Sequence, residues 1–166
     1  MEPTLKLLQE LGAFILAGAK GTEDVKQMTE MIRETRGYRW VGVYKITRGE
    51  LIIVAGTGDD PPAYPRFPVT QGLCGAAAES RETVLVDDVR HDARYLPTFG
   101  TTLSEIVVPI ISRSDRVVGV IAVESERLAA FKDDDREVLE RVAHELDGNA
   151  EDERTVHERG ERLHAA

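Results

Sequence analysis

Two runs decide the fold, Ile106-Val107-Val108-Pro109-Ile110-Ile111 and Val117-Val118-Gly119-Val120-Ile121-Ala122-Val123, with Arg113-Ser114-Asp115-Arg116 between them. Near-continuous β-branched stretches of this length bury both faces, which predicts two strands in the middle of a sheet. A two-residue turn at Ser114-Asp115, closed by Arg113 and Arg116, sets the register, and counting back along both strands brings Glu105 opposite Glu124. Like charges directly opposite are unfavourable unless a cation, a bound ammonium group or a shared proton relieves them. The plainer alternative is two glutamates at strand ends in water, and a one-residue slip would send them to opposite faces.

Upstream, Tyr38 to Thr47 has period two, with Tyr38, Trp40, Gly42, Tyr44 and Ile46 on one face and Val41 and Val43 on the other. Gly42 between Trp40 and Tyr44 leaves a gap with two aromatic walls, suited either to a small ligand or to a covering helix. Arg48-Gly49-Glu50 turns this strand into a second, Leu51 to Ala55. From Gly56 to Thr70, four prolines and two glycines predict a long loop that is neither helix nor central strand. Gly72 to Ser80 reads as a short helix and Thr83 to Val86 as a short strand, whereas Asp87 to Leu103 has no clear period.

Helices bracket these strands. Leu5, Leu8, Leu11, Gly12 and Ile15 recur at helical spacing through Ala19. Thr22 reads as the N-cap of a second helix with Val25, Met28 and Ile32 on one face and Gly37 as its stop. Phe131 to Leu146 opens on Asp133, Asp134 and Asp135, read as helix-start acids without chemistry, and carries Val138, Leu139, Val142 and Leu146 inward. The prediction is an α+β fold, a central and largely antiparallel sheet of about six strands flanked by N- and C-terminal helices. It forms a single domain over residues 1–147, with a polar tail over 148–166 that is either a helical extension or disordered.

The chain has 166 residues, 42% hydrophobic and 31% charged, ordinary values for one packed domain. With 21 Lys and Arg against 30 Asp and Glu the net charge is −9, a field that repels phosphate backbones and anionic lipid, so neither nucleic acid nor membrane is expected as a partner. No apolar stretch reaches the roughly 20 residues of a spanning helix, and Met1 to Lys20 lacks a basic start and a small-residue cleavage site, so a cytoplasmic protein is expected. One cysteine, Cys74, allows neither an internal disulfide nor a cysteine-based zinc cage.

The order and spacing of Tyr38 to Tyr44, Gly72-Leu73-Cys74-Gly75, Val86-Asp87-Asp88-Val89, Val107-Val108-Pro109-Ile110, Val118-Gly119-Val120 and Phe131 with its acidic helix start resemble the GAF domain family over Leu5 to Leu146. Within it the chain looks most like the free methionine-(R)-sulfoxide reductases, through Trp40 to Tyr44, Gly72 to Gly75 and Ser104 to Val107. The resemblance implies a GAF/PAS-like sheet, and in those enzymes the acids matching Glu105 and Glu124 hold the amino-acid substrate. It also implies three working cysteines, of which this chain keeps one: Thr98 stands at the essential position and Tyr64 at a resolving one. The family's closing Asp-x-Asp-Ser is Ala122-Val123-Glu124-Ser125 here, with one carboxylate left, as Glu.

Sulfoxide reduction by this route needs an attacking thiolate and a second thiol, and Thr98 cannot supply the first. Cys74 at a helix start could have a lowered pKa, although a small inert buried cysteine is the commoner case. Asp87, Asp88, His91 and Asp92 fit no defined metal loop and read as an ordinary turn; neither they nor a Cys74-His91-Asp88 triad gives a strong signal. His144, His157 and His164 carry none. The expected function is therefore a small-molecule-binding sensory module without cofactor or metal. Its ligand would be a small amine or amino acid, held by Trp40, Tyr44, Tyr64, Cys74, Thr98, Glu105 and Glu124 and the loop from Gly56 to Thr70. The alternatives are a divergent reductase working through Cys74 with an external thiol, and a dimerisation domain with a vestigial pocket. Terminal helices that pair between subunits, as is common in GAF proteins, predict a homodimer.

Overall fold

A computed structural model describes residues 3–16 and 21–147. The predicted end of the first helix at Ala19, the side chain of Ile15, and the tail over 148–166 with His157 and His164 lie outside the described residues. The elements are α1 (Pro3–Leu16), α2 (Thr22–Arg36), β1 (Trp40–Thr47), β2 (Glu50–Gly56), β3 (Arg66–Pro68), α3 (Gly72–Ser80), β4 (Val84–Val86), a 3-10 turn at Val89–His91, β5 (Ser104–Ile111), β6 (Val117–Ser125) and α4 (Asp133–Asp147). Six strands form one sheet in the order β3-β2-β1-β6-β5-β4, with every pairing antiparallel. This is the α+β sheet that the residue pattern predicted.

Alternation along the central strands sorts the interior into two apolar layers. Val41, Val43, Ile106, Val108, Ile110, Ile121 and Val123 face α1, α2 and α4, where they meet Leu7, Met28, Ile32, Leu139 and Val142. Trp40, Tyr44, Val107, Val120 and Ala122 face the other way, toward α3 and the long loops. The functional side chains lie in this second layer.

Several local expectations are corrected. Tyr38 precedes β1 and packs in the helix layer, against Phe131 with ring centroids 5.6 Å apart, so it does not share the face of Trp40. Its hydroxyl donates to Asp135 at 2.6 Å, and Asp135 also receives Arg36 and the backbone N–H of Lys132. Asp135 is therefore a buried junction between α2, the segment leading into β1, and α4, a structural role that a solvated helix-start acid lacks. In α1 the inward residues are Leu7 and Leu11, while Leu5 is half exposed. Gly21, with extended dihedrals, caps α2 in place of Thr22, and its N–H donates to the Asp24 carboxylate at 3.2 Å. Gly37 ends the helix at φ +70°, a conformation that glycine adopts without strain. The proline-rich stretch contributes β3, a short edge strand, which is where a sheet tolerates proline.

Candidate functional site

The β5–β6 register pairs Glu105 with Glu124, and the β1–β6 register pairs Glu124 with Trp40. Paired residues of antiparallel strands point to the same face. Trp40, Glu124 and Glu105 thus form one row across three strands, continued by Val86 of β4 opposite Glu105. The turn that sets this row is not the predicted two-residue one. Ser112 donates its N–H to the carbonyl of Arg116 at 2.7 Å, and Asp115, at φ 62°, donates to the carbonyl of Ser112 at 2.8 Å, so the loop has three residues. A bulge beside Ile110 and Ile111 takes up the extra residue and restores the pairing below it.

Both glutamates are enclosed, with Glu105 5% and Glu124 0% exposed. Neither oxygen of Glu124 completes a hydrogen bond among the described residues, nor do Trp40 Nε1, the Tyr95 hydroxyl or the Thr102 hydroxyl. Burial pushes Glu124 up to about 8, against smaller downward pulls from the Thr98 hydroxyl, the Arg39 guanidinium and the Thr102 hydroxyl nearby. Glu105 is pushed well above the carboxylate range, first by burial and then by the Glu124 charge. The Cys74 thiol is pushed up by burial and by Glu105 and Glu124, the reverse of the activation possible at a helix start. Tyr44 is raised by burial, then by Cys74 and the two glutamates, so these four groups sense one another.

Trp40, Tyr44, Tyr64, Phe67, Cys74 and Thr98 are among the residues lining a cavity of about 10 Å³ in the same layer. That is room for about one water molecule. The expected gap over Gly42 is filled by the indole of Trp40 itself. A Cβ at Gly42 would lie 2.1 Å from Cη2 of Trp40, and one at Gly56, its partner on β2, 2.9 Å from Cζ2. Two facing glycines thus form the seat of the ring. The Nζ of Lys26 in α2 donates to the carbonyls of Gly56 and Gly58 at 3.0 and 2.8 Å and anchors that edge.

The aperiodic stretch supplies residues that sequence reasoning missed. Phe99 packs edge-on against Trp40 at 5.3 Å, with the Arg39 guanidinium 5.1 Å from its ring centroid on the way to an ion pair with Glu126. Leu96 joins the cavity wall, and Tyr95 and Thr102 bring hydroxyls that complete no hydrogen bond among the described residues. The only available signal was the clustering of Tyr95 and Phe99 in a chain with 5% aromatic residues. Tyr64, 42% exposed, lies at the mouth. The N–H of Ala63 donates to the carbonyl of Thr98 at 3.3 Å and joins the two covering loops.

Other candidates do not assemble. Asp88 and Asp92 are held by Arg90 and Arg94, two residues on in each case. His91 is exposed while Cys74 is buried, and no metal-binding group of His, Cys, Asp and Glu occurs among the described residues. No described helix is long and apolar enough to cross a membrane.

A curled antiparallel sheet with α1, α2 and α4 on one face and a polar row covered by α3 and loops on the other defines the class. A model of the GAF domain matches residues 23–147, and the chain belongs to the GAF domain family. It is 27% identical over 142 residues to the GAF domain-containing protein A of Dictyostelium discoideum, covering 85% of this chain and 88% of that protein. To the free methionine-R-sulfoxide reductase of Saccharomyces cerevisiae it is 35% identical over 106 residues, 63% of this chain, and the match spans 58% of that enzyme's length. Among solved structures it is similar to the free methionine-R-sulfoxide reductase of Neisseria meningitidis in complex with its substrate. The TM-score is 0.81 at 27% identity, over 88% of this chain and 87% of that one.

Proposed function

We propose that this chain is a ligand-binding GAF module that takes a small amino compound beside Trp40, with Glu105 and Glu124 receiving its ammonium group. The observation that carries this reading is the buried carboxylate row, in which neither oxygen of Glu124 completes a hydrogen bond among the described residues, with the Thr98 and Thr102 hydroxyls nearby. Buried acceptors of this kind are costly unless a donor meets them, and an ammonium group brings three. The relatives named for free methionine-R-sulfoxide act on an amino acid, which agrees with that ligand class. The cavity is small and neither glutamate lines it, so binding moves the cover, of which Tyr64 and Leu96 form part.

The site binds and does not turn over. Reduction requires a thiolate, and the lone Cys74 is held as a thiol, first by burial and then by the neighbouring Glu105 and Glu124, with Thr98 on the cavity wall offering only a hydroxyl. Calorimetric titration with L-methionine and free methionine-(R)-sulfoxide tests the reading: both bind the wild type, and Glu124→Gln weakens each at least tenfold. The similarity to reductases favours a second reading, an enzyme using Cys74 with an external thiol. Turnover of free methionine-(R)-sulfoxide with dithiothreitol, lost in Cys74→Ser, would establish it and sink the first. Absence of any ligand in the titrations would leave a dimerisation domain with a vestigial pocket.

A further inference from the structure

The pairing of Glu105 with Glu124 raises a question that ligand binding alone leaves open, namely what relieves two enclosed carboxyl groups before a cation arrives. The titratable and charged groups that act on the pair are Cys74 from α3, Tyr44 from β1, Tyr95 from the loop after the 3-10 turn, and Arg39 at the entry to β1. The first three are neutral at neutral pH, each raised by burial. Arg39 is engaged elsewhere, with its Nε 2.8 Å from Glu126 Oε1 and its guanidinium against Phe99. No described side chain therefore places a cation between the two carboxyl groups. Two like charges in adjacent strand positions, out of water, cannot both persist without one, because their repulsion adds to the cost of desolvation.

We propose that binding at this row is an exchange of a proton for a cation: the Glu105–Glu124 pair is protonated in the ligand-free protein and releases one proton to solvent when an ammonium group enters. The carboxyl O–H breaks, the proton passes to water, and N–H donors of the ligand take over the freed oxygens. This rests on the binding reading above and adds the coupling, which the fold enforces by closing the row to counter-ions. The pair titrates as a unit, so the released proton belongs to the pair and not to either residue. Affinity for a cationic ligand then rises with pH, and neutral or N-blocked analogues gain nothing from raising it.

Calorimetry of the full chain with L-methionine as the probe decides the matter. In two buffers of different ionisation enthalpy at pH 6.5, the heats should differ by the amount expected for about one proton released per methionine bound. Affinity should climb about tenfold per pH unit between pH 6 and 7, the slope for one exchanged proton. N-acetyl-L-methionine should release none. If methionine binds with no proton release and a flat pH profile, the exchange is overturned while the binding reading stands; if methionine does not bind, both fall. Infrared titration of the wild type alone gives an independent check. A protonated-carboxyl band should be present at pH 6 and weaken as pH rises through about 8, and it should be missing throughout from the Glu105→Gln, Glu124→Gln double variant. No such band in the wild type at pH 6 overturns the proposal.

Discussion

Glu105 and Glu124 stand directly opposite each other on β5 and β6, enclosed on the same face as Trp40. An adjacent pair of buried carboxyl groups is a destabilising element that most domains avoid. Its retention beneath an aromatic cover is the feature from which the chemistry of this protein follows.

The pair gives stability a definite pH dependence. Both folded pKa values lie above the unfolded ones, so the folded state binds more protons. The contribution of each is full below the unfolded value near 4.5 and is lost as pH rises through its folded value, about 8 for Glu124. Thermal melts should therefore fall in midpoint from pH 5 to pH 8. Glu124→Gln, nearly isosteric and uncharged, should flatten that slope and raise the midpoint at pH 8 by several degrees, at roughly 2–4 °C per kcal/mol for a chain of this size.

Asp135 acts with the opposite sign. Burial raises its pKa, but hydrogen bonds from Tyr38, the Lys132 N–H and Arg36 outweigh that and hold it below the usual carboxylate range. Its stabilisation is present above the unfolded pKa and is lost as pH falls through the folded one. Asp135→Ala leaves the Tyr38 hydroxyl without its acceptor, while Arg36 keeps its ion pair with Asp134, and should cost about 1–3 kcal/mol in urea unfolding at pH 7.

Gly42→Ala tests the indole seat. A methyl group 2.1 Å from Cη2 of Trp40 forces the ring off the sheet, because the backbone on either side is pinned by pairing to β2 and β6. Overpacking of this kind costs about 1–3 kcal/mol. Trp40 is the only tryptophan, so its fluorescence reports the displacement as a red shift of emission. Unchanged emission would contradict the packing described.

Cys74 should resist thiol-specific reagents in the native state at pH 8 and react at the rate of denaturation, since it is buried and held protonated. Rapid native-state modification would restore the enzymatic reading.

Self-association through the terminal helices remains a proposal, supported by the half-exposed Leu5 on α1. Light scattering should give about twice the chain mass of 18.4 kDa; a value equal to it would refute the dimer.

Element types and order were legible because they depend on local periodicity. β-branched runs fix β5 and β6, an Ala-rich segment fixes α3, and Gly37 stops α2. The facing glutamates were also within reach, though by compensating errors: the real turn is one residue longer than supposed, and the bulge near Ile110 absorbs the difference. Register beyond a turn depends on the total residue count, and two local irregularities that cancel leave no trace in it. Contacts between distant segments decided the rest. Gly56 completes the indole seat from another strand, Phe99 and Tyr95 come from a stretch without periodicity, and Tyr38 turns toward Asp135, 97 residues away. The protonation of Cys74 and the two glutamates was beyond any local reading, because a pKa is set by desolvation and by charges that only chain folding brings close.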